Sequence, residues 1–152
     1  MADPIVEQIR AAFKSRLAGV TVAAGYHQTL VVEPLKRHGN SAAHLTAVIE
    51  QGEEDAVGQD ESAVQRDTWD QMFTCFVHIS NPGDAADFDQ LCNLVVADVR
   101  KAVMADDTFG GLALYAIQKS AGLFLNEAGE VAGVGVPFTV RYRHKAGDPF
   151  TP

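Results

Sequence analysis

Residues 84–112, DAADFDQLCNLVVADVRKAVMADDTFGGL, decide how the rest of the chain has to be arranged. Phe88, Leu91, Cys92, Val95, Val99, Ala102 and Val103 fall at the spacing of one helical face, whereas Asp89, Asn93, Arg100 and Lys101 fall off it. Asp84 is placed to cap the first turn. Asp87 and Asp89 sit toward the positive end of the helix dipole, and Arg100 and Lys101 toward the negative end. Asp106-Asp107-Thr108-Phe109-Gly110-Gly111 ends the helix, because consecutive glycines free the backbone for a tight reversal. No chemistry is apparent in this element, so its apolar stripe must be covered by a surface supplied elsewhere in the chain.

The sequence on either side predicts that surface. Residues 63–80 alternate with period two, Trp69, Gln71, Phe73, Cys75, Val77 and Ile79 on one face and Asp70, Met72, Thr74, Phe76 and His78 on the other, and Asn81-Pro82-Gly83 turns this strand into the helix. Met72 and Phe76 make the second face partly apolar as well, so it is either covered or meets another molecule. After the glycine pair, residues 112–119 and 123–125 are short strand candidates and Asn126 to Glu130 a polar turn. The last strand places Val134, Val136, Phe138, Val140 and Tyr142 on one face, with Gly135, Pro137, Thr139, Arg141 and Arg143 on the other. Pro137 cannot donate to a ladder, so an edge, a bulge or an unmatched position is expected there. Residues 144–152 form an irregular C-terminal tail.

Upstream, Asp3-Pro4 opens a first helix carrying Ile5, Val6, Ile9, Phe13 and Leu17 on one side, and Gly19 stops it. Its basic residues Arg10, Lys14 and Arg16 are read as a solvated side in preference to a partner face. Residues 29–33 and 44–50 read as two strands of a hairpin joined by a basic loop, 34–43, with Lys36, Arg37 and His38. Residues 51–62 read as a flexible acidic loop with Glu53, Glu54, Asp55, Asp60 and Glu61; it lacks the ligand alternation of a calcium loop. The sum is one α+β domain over residues 1–152, an antiparallel four- to five-stranded sheet with two main helices packed on one face.

Composition bounds the function. The chain of 152 residues is long enough for an ordinary core, and no apolar run approaches the length of a membrane span. The first residues lack a signal-peptide pattern, so a soluble intracellular product is expected. Cys75 and Cys92 read as two small buried hydrophobes rather than a disulfide. A formal charge of −8 opposes tight binding to phosphate backbones. The histidines His27, His38, His44, His78 and His144 never pair at zinc-site spacing. No nucleophile elbow, phosphate loop or dinucleotide fingerprint occurs. Asp106-Asp107 is the one acid pair near a possible cleft, and it is read as a turn-former. No catalytic residue, metal or cofactor is therefore expected, although a site assembled from scattered residues stays open.

The helix Leu91 to Val103, the knuckle Asp106 to Leu112, a strand ending Val140-Arg141-Tyr142-Arg143 and the tail Gly147-Asp148-Pro149-Phe150 together resemble the tail terminator proteins of long-tailed bacteriophages. The similarity covers mainly residues 69–150. It implies a structural virion protein, assembled in the host cytoplasm, that forms a ring, commonly a homo-hexamer, on the head-proximal end of the tail tube. Such a ring stops tube polymerisation, meets the tail tube protein and the head connector or head-completion protein, and lets DNA pass without specific binding. No membrane is involved. A head-closure or neck protein is the alternative within the same assembly, and a small enzyme or ligand-binding domain with a helix–sheet pocket the alternative from another class. A ring needs complementary patches on different sides of each subunit. The candidate interface residues are Lys36, Arg37, His38, Glu53, Glu54, Asp55, Asp60, Glu61, Arg141, Arg143 and Phe150, with the basic loop set against the acidic one. The acidic loop has no counterpart in the family pattern.

Overall fold

A computed structural model describes residues 3–33, 45–60, 65–80, 85–126, 128–129 and 131–152. The chain runs α1 (Ile5–Ala18), a short 3-10 turn (Val22–Ala24), β1 (Val31–Val32), β2 (Leu45–Asp60), β3 (Arg66–Ile79), α2 (Ala85–Val103), β4 (Tyr115–Gln118), β5 (Gly122–Leu125) and β6 (Val131–Lys145). The strands form one six-stranded sheet in the order β1-β2-β3-β6-β4, with β5 pairing β6 beyond β4 on the same side. The fold is α+β and mostly antiparallel.

Three expectations need correction. The sheet has six strands rather than four or five. Residues 29–33 and 44–50 do not form a hairpin: β1 pairs with β2 in parallel, Val31 opposite Thr46 and Val32 opposite Ala47, an arrangement that a tight turn cannot make. The third is the acidic segment, which is no loop. Residues 51–60 continue β2 as strand, paired to Arg66–Phe73 of β3 through two register shifts. Charge opposes a strand only where it would be buried, and here residues 51–59 are all exposed. Acidic side chains and bulges are the ordinary equipment of an exposed sheet edge.

The first shift is held by a buried amide. Gln71 faces the bulge at Gly52 and Glu53, and its Nε2 donates to the carbonyls of Gly52 (2.9 Å), Glu53 (3.1 Å) and Met72 (3.0 Å), while its Oε1 accepts from Gln51 Nε2 (3.1 Å). A fully buried glutamine is thus paired at both ends of its amide.

The alternation of β3 and β6 is as the sequence predicts. Phe73, Cys75, Val77 and Ile79 of β3 and Val134, Val136, Phe138, Val140 and Tyr142 of β6 are buried beneath Ile5, Ile9, Phe13 and Leu17 of α1 and Val95, Val99 and Val103 of α2. Each large apolar side chain removed from water contributes about 1.5–3 kcal/mol. Helix α1 touches β1 and β2, and α2 touches β6, so both helices lie on one face. Cys75 and Cys92 are free and buried, and burial pushes the Cys75 thiol up to about 12. Pro137 sits opposite Thr74, and its carbonyl accepts from Lys119 N (2.9 Å). The amide hydrogen it lacks would point to that same side, where the chain passes between β4 and β5 and no ladder partner waits.

The helix ends differ from expectation. Pro4 occupies the cap position of α1 without a side-chain cap, and Asp3 contributes only its carbonyl, to Gln8 Nε2 (2.7 Å). Gly19 is right-handed (φ −79°), so α1 stops without using a glycine's freedom. Asp84 lies outside the described residues. The tail is only partly irregular: His144 and Lys145 belong to β6, and the turn that follows returns to α1, where Ile5 N donates to Pro149 O (3.0 Å).

Val95 is fully buried in the middle of α2. Val95→Asp places an unpaired carboxylate there, at a cost exceeding the ~5 kcal/mol stability of many small domains. The expected result is loss of the cooperative thermal transition by circular dichroism; a variant that still melts cooperatively would show that this face is not core.

Candidate assembly interface

The acid pair at the end of α2 is a turn, as read from sequence. Asp106 Oδ1 accepts from Thr108 Oγ1 (2.6 Å) and Thr108 N (3.0 Å), and Oδ2 from Gly110 N (2.7 Å). These bonds, led by that of the Thr108 hydroxyl, hold the carboxyl below its usual range. Phe109, Gly110 and Gly111 are left-handed in succession (φ 52°, 72° and 88°). The strain at Phe109 is offset by its ring, which is buried, stacks on Phe13 at 4.9 Å and lies 4.2 Å beneath the Arg16 guanidinium. Arg16 also donates to the Val103 carbonyl (2.6 Å) and to Asp106 Oδ2 (3.1 Å), closing the C-terminus of α2. Arg16 is therefore a structural clamp and not part of a free basic side.

The sheet face away from the helices has two parts. Where it backs the core it is largely apolar: Val48, Met72, Phe76 and Phe124 lie on it half-buried, and Ile117 is exposed. Phe124 packs against Phe76 (5.5 Å) and His78 (4.9 Å) and covers Gly133, where an added Cβ would meet the Val77 carbonyl at 2.0 Å. Glycine is required there by the close approach of strand and ring. Among the described residues no helix covers this face.

Toward the other end, β2, β3 and β6 form a three-stranded arm with opposite charges on its two sides. Asp55 on β2 stands opposite Asp70 on β3, which stands opposite Arg141 on β6. Arg141 grips Asp70 with two bonds, Nε to Oδ1 (2.7 Å) and Nη2 to Oδ2 (2.6 Å), and stacks over Tyr115 at 5.3 Å. Further out, Thr68 pairs with Arg143 and Arg66 with Lys145 in the ladder, and Arg143 Nε reaches Thr68 Oγ1 (3.3 Å). On the helix-side face, the Tyr142 hydroxyl donates to Glu54 Oε1 across β3; burial first, and this carboxylate second, push the phenol up.

The predicted interface residues separate into three groups. Lys36, Arg37, His38 and Glu61 lie outside the described residues, so their pairing with the acidic segment does too. Glu53, Glu54, Asp55 and Asp60 lie on β2 and Arg141 and Arg143 on β6, brought into one arm with β3 between them. Phe150 is set apart, 41% exposed in the terminal turn, where its N donates to Asp148 Oδ1 (3.1 Å). Sequence reasoning missed Arg66 and Lys145, which extend the basic column, and Asp70, which neutralises one member of it. The alternation Arg141, Arg143, Lys145 was visible; the placement of Arg66 beside Lys145 needed the register.

A concavity lies between α2 and β5, about 570 Å³, lined by residues including Asp89, Cys92, Arg100 and Leu123. Arg100 Nη2 donates to the Lys119 carbonyl (3.1 Å) at its rim. No family model and no curated protein sequence matches the chain.

The hydrogen bonds from Arg141 hold the Asp70 carboxyl below its usual range against the opposing effect of burial. A depressed folded-state pKa stabilises above the unfolded value, near 3.9, and that contribution disappears as pH falls through the folded value. The stability gap between wild type and Asp70→Asn, from urea unfolding, is expected to hold from neutral pH to about 5 and to close in stronger acid. A gap independent of pH would mean that the ion pair is not its source.

Proposed function

We propose that the chain is a structural subunit of a long-tailed bacteriophage, a tail terminator. In this reading it forms a ring, six-fold by the family's habit, on the head-proximal end of the tail tube. The ring ends polymerisation and offers a surface to the head connector, with DNA passing through unbound. The role is one of assembly rather than catalysis, in the virion. A head-closure or neck role uses the same surfaces and remains the alternative within this class.

The observation that carries the reading is the arm. The β2–β3–β6 sheet has a β2 edge that no described strand pairs beyond Ala47 and an outer face that no described helix covers. A sheet left open in this way offers its side chains and outer face to neighbouring molecules. The segments that resemble terminators also converge on one element: the knuckle is clamped by Arg16 at the end of α1, and the Gly147-Asp148-Pro149-Phe150 turn bonds Ile5 at its start. The groove between α2 and β5 favours a second reading, a ligand-binding domain, in which Asp89 and Arg100 would orient a polar group above Cys92 and Leu123.

Electron microscopy of the purified protein at rising concentration is expected to show closed six-fold rings. Deleting its gene from the phage that carries it should give overlong or headless tails. Tails of normal length after deletion would overturn the terminator reading.

A further inference from the structure

The two charged columns of the arm are unbalanced within the chain. Among the described residues, Glu50, Glu53 and Asp55 on β2 and Arg143 and Lys145 on β6 enter no ion pair, whereas Arg66 of β3 stands opposite Asp60 of β2 in the ladder. Lys145 only lies close enough to Asp148 to help lower that carboxyl, which is already engaged by Thr151 and Phe150. Adjacent strands are about 4.8 Å apart, so β2 and β6, with β3 between them, stand about 10 Å apart, too far for direct contact of their backbones and most of their shorter side chains. Asp70 and Arg141 neutralise each other in the gap. Asp55 therefore faces a carboxylate already paired with Arg141 and finds no cation across the ladder. Along β6, Arg141, Arg143 and Lys145 share one face at steps of about 6.8 Å. The basic column is thus as regular as a strand can make it.

We infer that the basic column of Arg143 and Lys145 on β6 receives the acidic β2 edge of a second copy of this chain, joined head to tail. This rests on the ring reading and names the contact that would build the ring. The signs stand on opposite sides of the same sheet, which is what a heterologous contact needs: each subunit offers its acidic side to one neighbour and its basic side to the other. Side chains carry the contact rather than ladder bonds. The bulges between Gln51 and Glu54 and between Ala56 and Gly58 interrupt the β2 edge, and such interruptions discourage continuous strand addition. A duplex nucleic acid would also satisfy the cations, but a chain of net charge −8 with carboxylates on the same arm repels it.

Two charge-reversed proteins test the contact: one carrying Glu53→Lys and Asp55→Lys, the other Arg143→Glu and Lys145→Glu. All four positions lie on the arm away from the packed core, and circular dichroism verifies each fold. Light scattering and native mass spectrometry are expected to show each variant alone assembling at least tenfold more weakly than wild type. An equal mixture should recover assembly, because lysines on one β2 edge then meet glutamates on the other β6 column. Assembly of wild type should weaken as salt rises from about 0.05 to about 0.5 M, as exposed pairs are screened. Wild-type rings together with variants that assemble equally well would sink this contact and leave the terminator reading standing. Closed dimers that obey the charge exchange would sustain the contact and remove the ring. A wild type that stays monomeric at every concentration overturns the contact, and duplex DNA binding abolished by Arg143→Glu and Lys145→Glu would then assign the column to nucleic acid.

Discussion

The structure depends on one aromatic contact point. The ring of Phe13, on α1, lies 5.2 Å from Phe73 of β3, 5.5 Å from Phe138 of β6 and 4.9 Å from Phe109 of the knuckle. Four segments distant in sequence meet there, and aromatic pairs of this geometry add about 0.5–1.5 kcal/mol beyond the area they bury. The arrangement explains why a residue with a side chain occupies the left-handed position at Phe109, where glycine would be unstrained. Its ring is needed to fasten the end of α2 to α1, and the Arg16 guanidinium above that ring also closes the last carbonyls of α2. Helix, knuckle and sheet are thus fixed by the same side chains.

A second fastening holds the chain upstream of β1 to α2. Asp98 is buried, 1% exposed, and accepts from His27 Nδ1 (2.9 Å) and Gln28 N (2.8 Å), while Lys101 Nζ donates to the Gly25 carbonyl (3.0 Å) and lies over the Tyr26 ring. A carboxylate on the inner side of a helix would be costly alone, and two donors from one loop satisfy it. The loop in turn delivers Leu30 to the core and β1 to the edge of β2. Sequence reading gave Asp98 no role: its spacing from Leu91, Val95 and Ala102 sets it on the apolar stripe, but no recognisable motif marks it.

What the sequence made legible follows from periodicity. The strands at Phe73 to Ile79 and Val134 to Tyr142, and the helices at Ile5 to Leu17 and Phe88 to Val103, are half-buried elements with one apolar side, and their pattern carries over to the structure without correction. The failures fall where burial does not write a pattern. Gln51 to Gln59 are exposed, so nothing in their hydropathy distinguishes strand from loop, and the partners that make them strand lie on β3. Val31 and Val32 are too few to show the direction of their pairing. Of the candidate interface, the residue types were visible and their grouping was not, because Arg66 and Lys145 become neighbours only through an antiparallel register between segments far apart in sequence.

The arm and the core answer to different constraints, and this accounts for the distribution of charge. Over the helices the sheet is held by apolar contacts that tolerate little change in shape. Toward the arm the same three strands rely on polar bonds as well, the Gln71 amide at the bulge, the Tyr142–Glu54 bond on one face and the Asp70–Arg141 pair on the other. Each of these spans two strands or more, so the arm is braced crosswise by polar bonds where the core uses packing. A brace of this kind leaves most of the charges at the margins of the arm free of structural duty. Glu50, Glu53 and Asp55 on β2 and Lys145 on β6 take no part in these braces, so their sign answers to the surroundings of the sheet rather than to its packing.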